Sequence, residues 1–296
     1  MKNKFRIFLG IFFCFFLINI YANQDTLKHW KLKSIFSLNG TQSSFINWNA
    51  GGRNNASFIG SIRTNAYYTD SRWKWTNDLN MSFGAIKYLD NQPASFQKTD
   101  DKIDLSSSVE YKFSKKVFLS FFSGLKTQTI HGYVYPNDSV IVSSFMAPGY
   151  LNLALGVDFS PKESFSIFTS FLSEKSTFVL NDYLSNLGVF GVDKGKKSRQ
   201  EYGAYVKVRF NANIMKNIEM RSKLELFSNY KENPQNIDVN GELIFNFKIN
   251  SIFSALAQWN LIYDDDVKIR DTNGNIGPRT QFKSVLGIGI SYKLEN

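Results

Sequence analysis

Leu286-Gly287-Ile288-Gly289-Ile290-Ser291-Tyr292-Lys293-Leu294 alternates without a break: Leu286, Ile288, Ile290, Tyr292 and Leu294 fall on one face, Gly287, Gly289, Ser291 and Lys293 on the other. Side chains along a strand point to opposite faces with period two, so this stretch is a strand with one oily face and one small or polar face. The same pattern recurs upstream. Ile218, Met220, Leu224 and Leu226 oppose Glu219, Arg221, Lys223 and Glu225, and Ile237, Val239, Leu243, Phe245 and Phe247 oppose Asp238, Asn240, Glu242, Asn246 and Lys248. Between Lys102 and Phe113, Ile103, Leu105, Val109 and Tyr111 face away from Asp104, Ser106, Ser108 and Glu110. Stretches with a helical apolar period are scarce, so the chain is all-β.

Alternation alone leaves two architectures open. In a sandwich the apolar faces pack inward; in an outer-membrane barrel they meet lipid and the polar faces line a lumen. Strand length separates the two, because soluble strands average about 5–6 residues and lipid-spanning ones about 9–11. Twelve segments of mostly the longer kind can be read, near 30–40, 54–68, 72–87, 102–113, 116–128, 150–159, 164–172, 200–213, 218–230, 237–249, 252–263 and 281–294. Tight turns at Asp70-Ser71, Ser114-Lys115, Ser160 to Glu163, Met215 to Asn217 and Asn250-Ser251 each follow an even-numbered segment, and long polar stretches follow most odd ones. That sorting predicts an antiparallel transmembrane β-barrel of twelve strands, with long extracellular loops, short periplasmic turns and both termini in the periplasm. Aromatic residues near segment ends, among them Trp73, Trp75, Tyr111, Tyr150, Tyr202, Tyr230 and Tyr292, fit interfacial girdles. Segments 116–128 and 164–172 carry Phe on both faces (Phe118 and Phe122 against Phe121, Phe165 and Phe171 against Phe168) and do not declare their orientation. Asn181 can cap a short helix in the long stretch after 173.

The start of the chain sets the compartment. Lys2, Lys4 and Arg6 precede an apolar run from Phe8 to Ile20, and Ala22 is followed by Asn23, Gln24 and Asp25. This is the form of a cleaved secretory signal over residues 1–22, leaving 23–296 as a single barrel domain in the bacterial outer membrane. The lone cysteine, Cys14, lies within the signal, so the exported chain has no disulfide. Removing residues 1–22 leaves 32 basic and 25 acidic residues, a charge of +7 spread through the alternating segments. Scattered charge of this kind excludes a nucleic-acid partner. The partners expected are outer-membrane lipid and lipopolysaccharide, the barrel-assembly machinery reading the last strand, and a small polar solute.

Phrases along the chain carry a resemblance. They include Phe45-Ile46-Asn47-Trp48-Asn49-Ala50-Gly51-Gly52, Lys98-Thr99-Asp100-Asp101-Lys102-Ile103-Asp104, Phe145-Met146-Ala147-Pro148-Gly149-Tyr150, Leu226-Phe227-Ser228-Asn229-Tyr230 and Leu261-Ile262-Tyr263-Asp264-Asp265-Asp266. Together they resemble a Bacteroidota outer-membrane family known as domain of unknown function 3078. The resemblance implies an outer-membrane β-barrel and supplies no activity.

Candidate chemistry is sparse. Of two histidines, His29 precedes the first segment, and His131 shares a loop with Asp138, Ser139 and Ser143; it is the only catalytic candidate, and a solvated loop histidine is the plainer reading. No cofactor motif is present, so the expected class is non-enzymatic. Asp264, Asp265 and Asp266, with Asp100-Asp101, would sit at the outer rim; hard oxygen ligands there suit Ca²⁺, but pairing with Lys98, Arg270 and Arg279 accounts for them more simply. Lys194, Lys196, Lys197 and Arg199 in the longest loop are candidates for lipopolysaccharide phosphates. The lumen face collects Lys74, Asp78, Asp104, Glu110, Lys207, Arg209, Arg221, Lys223, Glu225, Asp238, Glu242 and Lys248, with both signs interspersed. Charges in so narrow an interior must pair or stay hydrated. They therefore form either a polar plug or a hydrated channel for small polar or charged solutes. A non-transport barrel binding envelope components through its loops is the alternative.

Overall fold

The computed structural model of the chain describes residues 29–44, 53–89, 96–135, 138–270 and 275–295. The signal segment and the phrase from Phe45 to Gly52 lie outside the described residues. Twelve strands close into one antiparallel barrel. They are β1 (Trp30–Ser43), β2 (Asn55–Thr69), β3 (Trp73–Tyr88), β4 (Phe96–Lys112), β5 (Val117–Thr127) and β8 (Gly149–Lys162). The circuit continues with β9 (Phe165–Phe178), β10 (Ser198–Met215), β11 (Ile218–Asn229), β12 (Ile237–Lys248), β13 (Phe253–Tyr263) and β16 (Gln281–Glu295). Each strand pairs with its neighbours in sequence, and β16 returns to β1. Two small hairpins stand outside the barrel in the long loops: β6 (Gly132–Tyr133) with β7 (Ile141–Ser143), and β14 (Lys268–Arg270) with β15 (Ile276–Pro278).

The twelve segments expected from the sequence are the twelve barrel strands, but several run further. β4 begins at Phe96, not near 102, β9 continues to Phe178, and β10 starts at Ser198. All three extensions are at the long-loop end. There both faces of a strand are polar, as in Gln97-Lys98-Thr99-Asp100-Asp101, so the apolar alternation fades while the backbone ladder continues. Asp100 and Arg199 are accordingly strand residues, not loop residues.

The outer surface carries what a soluble protein would bury. Phe171 is 84% exposed, Leu286 69% and Ile288 63%, and Leu119, Phe121, Leu155 and Val157 are exposed around the same circuit. An apolar belt around a closed barrel is a lipid-facing surface. At the tight-turn end Trp30 packs against Tyr68 and Trp75, with ring centroids 5.4 and 5.5 Å apart, and Trp73 lies edge-on to Tyr111 at 5.1 Å. Exposed Tyr202 and Tyr230 mark the long-loop end. Tyr150, expected in a girdle, instead borders the interior. Among the described residues no helix is long and apolar enough to cross a membrane.

The interior divides in two. Phe122, Phe168, Tyr205, Phe227 and Ala154 pack into one buried cluster along β5, β8, β9, β10 and β11. Phe122 stacks on Tyr205 with centroids 5.6 Å apart and a 10° interplanar angle. This settles the two strands with Phe on both faces: Phe118, Phe122 and Phe168 turn inward, while Phe121 and Phe171 meet lipid. The same arc is irregular. Register shifts fall beside Gly156 and Gly203, where an added Cβ would collide with the backbone carbonyls of Thr169 and Ser228. Only glycine lets these backbones close up around the rings.

Over the long-loop end the chain builds a cap. Asn181 accepts a hydrogen bond from the Leu184 amide and starts helix α1 (Asp182–Leu187), which ends at Gly188 in the left-handed region (φ 68°). Leu184 packs with Ala147, Val179 and Val192 into a small apolar core, with Ile141, Val189 and Phe190 against it.

Candidate functional site

The candidate site is the lumen, and its central feature is a belt of ion pairs. Lys102 and Asp104 point inward from β4, Lys126 from β5, Lys223 and Glu225 from β11, and Glu242 from β12. Lys102 Nζ reaches Glu242 Oε1 at 2.6 Å, although β4 and β12 are diametrically opposite, with five strands between them on either side. Lys223 Nζ reaches Asp104 Oδ2 at 2.7 Å, and Lys102 lies 3.6 Å from the same oxygen. Lys126 pairs with Glu225, whose other oxygen accepts the Tyr205 hydroxyl at 2.9 Å. These side chains meet across the axis. Buried charges of both signs in mutual contact satisfy one another where neither could stand alone.

Below the belt, toward the tight turns, Glu219 accepts from Arg221 at 2.9 Å and from Lys33 at 3.4 Å. Arg209 lies 3.8 Å from Asp78, and Lys74 donates to Glu110 at 3.3 Å. Lys207 has a different partner: its Nζ sits 3.5 Å above the Phe122 ring, pinned to the aromatic arc by a cation–π contact. Above the belt, Lys175 Nζ is held by Asp238 at 2.5 Å, Asp264 at 2.7 Å and Glu201 at 3.6 Å. Arg199 gathers Asp266 at 2.8 Å, Glu232 at 2.7 Å and Glu201 at 3.4 Å.

The belt separates two cavities. One of about 540 Å³ opens toward the long loops, bordered by Tyr150, Lys175, Phe190, Phe227, Ile262 and Tyr263 among others. The other, about 340 Å³, lies toward the tight turns, bordered by Ser37, Asn39, Ser61, Arg63, Glu219 and Gln258 among others. Lys102 and Glu242 border both. Volumes of this size suit small ligands.

The residues singled out in the sequence are placed as follows. Asp104, Lys223, Glu225 and Glu242 come together in the belt; Asp78 with Arg209, Lys74 with Glu110, and Arg221 with Glu219 form separate pairs. Lys248 borders the tight-turn cavity, and Asp238 belongs to the Lys175 cluster. The acidic rim finds the following partners. Asp101 does pair with Lys98 (3.2 Å), but Asp100 pairs with Lys283, Asp264 with Lys175 and Asp266 with Arg199. Carboxylate oxygens of Asp238, Asp264 and Asp265 lie within 4.8 Å of one another, and the Lys175 ammonium already bonds two of the three groups. Asp265 accepts from the Asn236 amide at 2.6 Å. Of the loop bases, Lys196 pairs with Asp193 and Lys197 with Asp182, both at the surface, and Lys194 lies beside Gly188.

His131 packs edge-on to Tyr133 (6.4 Å between centroids), and Ser143 Oγ donates to Gln128 at 3.0 Å. Sequence reasoning missed Lys126, Lys175 and Glu201 as interior charges. Lys126 sits in a segment with Phe on both faces, and Lys175 and Glu201 sit toward strand ends where the apolar alternation has faded. Continuing period two beyond the apolar alternation places Glu201 in line with Gly203 and Tyr205.

Comparison with known proteins places these features in context. No curated protein matches the chain. An outer membrane channel of Pseudomonas putida F1 (COG4313) is 13% identical and superposes with a TM-score of 0.41 over 90% of this chain and 96% of its own. The NanC porin is 8% identical, with a TM-score of 0.37 over 88% of this chain and 100% of its own. The translocator domain of the autotransporter NalP from Neisseria meningitidis gives 8% and 0.37 over 98% of this chain and 96% of its own. Residues 162–274 match the family described as "Protein of unknown function, DUF481". Over residues 41–133, the part that includes β2 to β5, the chain matches the family its phrases resemble, "Protein of unknown function (DUF3078)".

Proposed function

We propose that the protein resides in the bacterial outer membrane, long loops outward and tight turns in the periplasm, and binds and passes small polar or charged solutes through a lumen gated by its own ion pairs. The observation that carries this reading is the belt: charged side chains bridge opposite walls between two cavities, so space for a small solute remains on both sides of it. A solute entering from the loop side meets the amphipathic upper cavity, then exchanges its own charge with a belt partner to move on. Ion pairs that trade partners in this way give selectivity by charge.

Conductance of the purified, refolded chain in planar bilayers under a salt gradient tests the proposal. Small steps with a non-zero reversal potential are expected, shifting toward cations in Arg209→Glu and Arg221→Glu. A folded barrel that stays silent both as wild type and with the belt broken by Asp104→Asn would overturn it.

A second reading has its own observation. The loops above the barrel share an apolar core built on Val179, Leu184 and Val192, so they form a shaped surface. Lys194, Lys196 and Lys197 lie on or beside it and suit lipopolysaccharide phosphates, whereas Arg199 is held by its own carboxylates. Replacing the three lysines with glutamine should weaken binding to lipopolysaccharide vesicles without changing conductance; unchanged binding would sink this reading.

A further inference from the structure

The barrel closes unevenly. Every seam but one is zipped by ten or more residue pairs, whereas β1 and β16 share seven, from Lys33↔Glu295 to Asn39↔Gly289. Beyond that point, among the described residues, Gly40 to Ser43 pair with β2 alone, and Gln281 to Ile288 with β13 alone. Two strand edges therefore face each other unladdered over roughly 13 Å, the length of four residues at ~3.3 Å each. The gap lies at the level of the lipid-facing belt, because Phe58, opposite Gly40, and Leu286 and Ile288 on the far edge are all exposed apolar residues. Open sheet edges do not face hydrocarbon; at membrane depth such backbone is tolerated only where it is buried in protein or lines a water-filled cavity, as the tight-turn cavity provides here.

Two further observations lie on the lumen side of the gap. Asn39, at its apex, is 5% exposed, yet neither its amide nitrogen nor its amide oxygen has a hydrogen-bond partner. Its side chain leans over Gly287, where a Cβ would come within 3.1 Å of it. Arg63 faces the same tight-turn cavity from β2, two inward positions below Ile59, the residue opposite Asn39. Its Nε donates to Asn80 at 3.0 Å, and among the described residues no carboxylate comes within ion-pair distance of it. The residues bordering that cavity include six cations and three carboxylates, an excess of positive charge.

We propose that the β1–β16 notch is the side entrance to a site for an anionic single-chain amphiphile. The anionic head lies against Arg63 within the cavity, Asn39 and Val285 line the mouth of the notch, and the chain passes out between Gly40–Ser43 and Val285–Ile288 to rest on Leu286 and Ile288. The charge excess selects an acid over a neutral or cationic head, and the apolar rim selects an alkyl chain over a polar one. This goes beyond conduction through the lumen, since a barrel that never conducts can hold such a ligand.

The full chain, refolded in phosphatidylcholine nanodiscs, is photolabelled with a long-chain fatty acid carrying a diazirine in its tail, and the adducts are mapped by mass spectrometry. Expected are saturable adducts in 40–43 and 281–288, displaced by the unlabelled acid and not by the alcohol of equal length. Arg63→Gln should cut this labelling about tenfold, as loss of a charge-assisted hydrogen bond requires. Adducts spread evenly over the outer belt, including Phe171 and Leu172, or equal displacement by the alcohol, would overturn the proposal even if the variant failed to fold. So would rapid, high-yield disulfide formation between Gly40→Cys and Ile288→Cys without amphiphile, because bridging needs Cα atoms about 4.4–6.8 Å apart and hence a closed seam. None of these readouts depends on conductance, so failure here leaves the solute reading standing, and a silent barrel leaves this one standing.

Discussion

The inner wall along β5, β8, β9, β10 and β11 is filled with aromatic rings, while the wall along β1, β2, β12, β13 and β16 is polar and hollow. The same strand count and the same alternation build both. The difference teaches that a narrow barrel does not need a uniform interior. Rings packed against one arc take up volume, tighten that arc through its glycine bulges, and leave a crescent of space along the other. Toward the tight turns, packing and open space are thus assigned to opposite walls, while the upper cavity borders both arcs.

The largest test of that division removes the packing. Phe122→Ala and Phe168→Ala should each cost about 3–5 kcal/mol, as large-to-small changes at buried aromatics do, whereas Ser37→Ala or Ser61→Ala on the hollow wall should stay within about 0.5 kcal/mol. Guanidinium unfolding from liposomes measures both, and equal costs on the two walls would break the comparison. Next, Asp104→Asn strips Lys223 and Lys102 of a shared carboxylate, and breaking a buried pair of this kind costs about 3–5 kcal/mol less whatever water entering the lumen restores. The same variant should enlarge the conductance step, because it removes a bridge between the walls. Lys207→Met should cost about 0.5–2 kcal/mol, the range of a cation–π contact, and shows whether the packed wall also holds charge. The smallest effect is on the cap. A hydrogen bond from Lys197, together with its charge, holds the Asp182 carboxyl below the usual carboxylate range. Because the folded value is the depressed one, its contribution is complete above the unfolded value and is lost as pH falls through the folded value. Hydrogen exchange at Leu184 should therefore be unchanged, after correction for intrinsic rate, from neutral pH down to the ordinary carboxylate range, and should rise only in stronger acid.

Which of these features could be read from the sequence follows from where water and lipid act on it. The twelve strands were legible because lipid forces every outward position of Leu286–Leu294 and its counterparts to be apolar. Strand ends such as Phe96–Asp101 were not, since above the membrane both faces are polar and the period vanishes. The inward charges of β11 and β12 were legible as a set, but which carboxylate Lys102 meets was not. Lys102 and Glu242 are brought together by barrel closure, which no local pattern encodes. The aromatic wall was hidden for a different reason: Phe118 and Phe122 inside look no different in composition from Phe121 outside, and only the register of β5 against β8 separates them.

The belt also sets a timescale. Its pairs join residues 140, 119 and 99 positions apart, Lys102 with Glu242, Asp104 with Lys223 and Lys126 with Glu225. A flat, growing sheet cannot make them, because their partners lie four to six strands apart and meet only as the sheet curls toward closure. Interactions absent until after the rate-limiting step leave the rate of folding untouched and slow unfolding by their full worth. The belt is therefore a latch on the lifetime of the finished barrel: belt variants should assemble at the wild-type rate and come apart sooner.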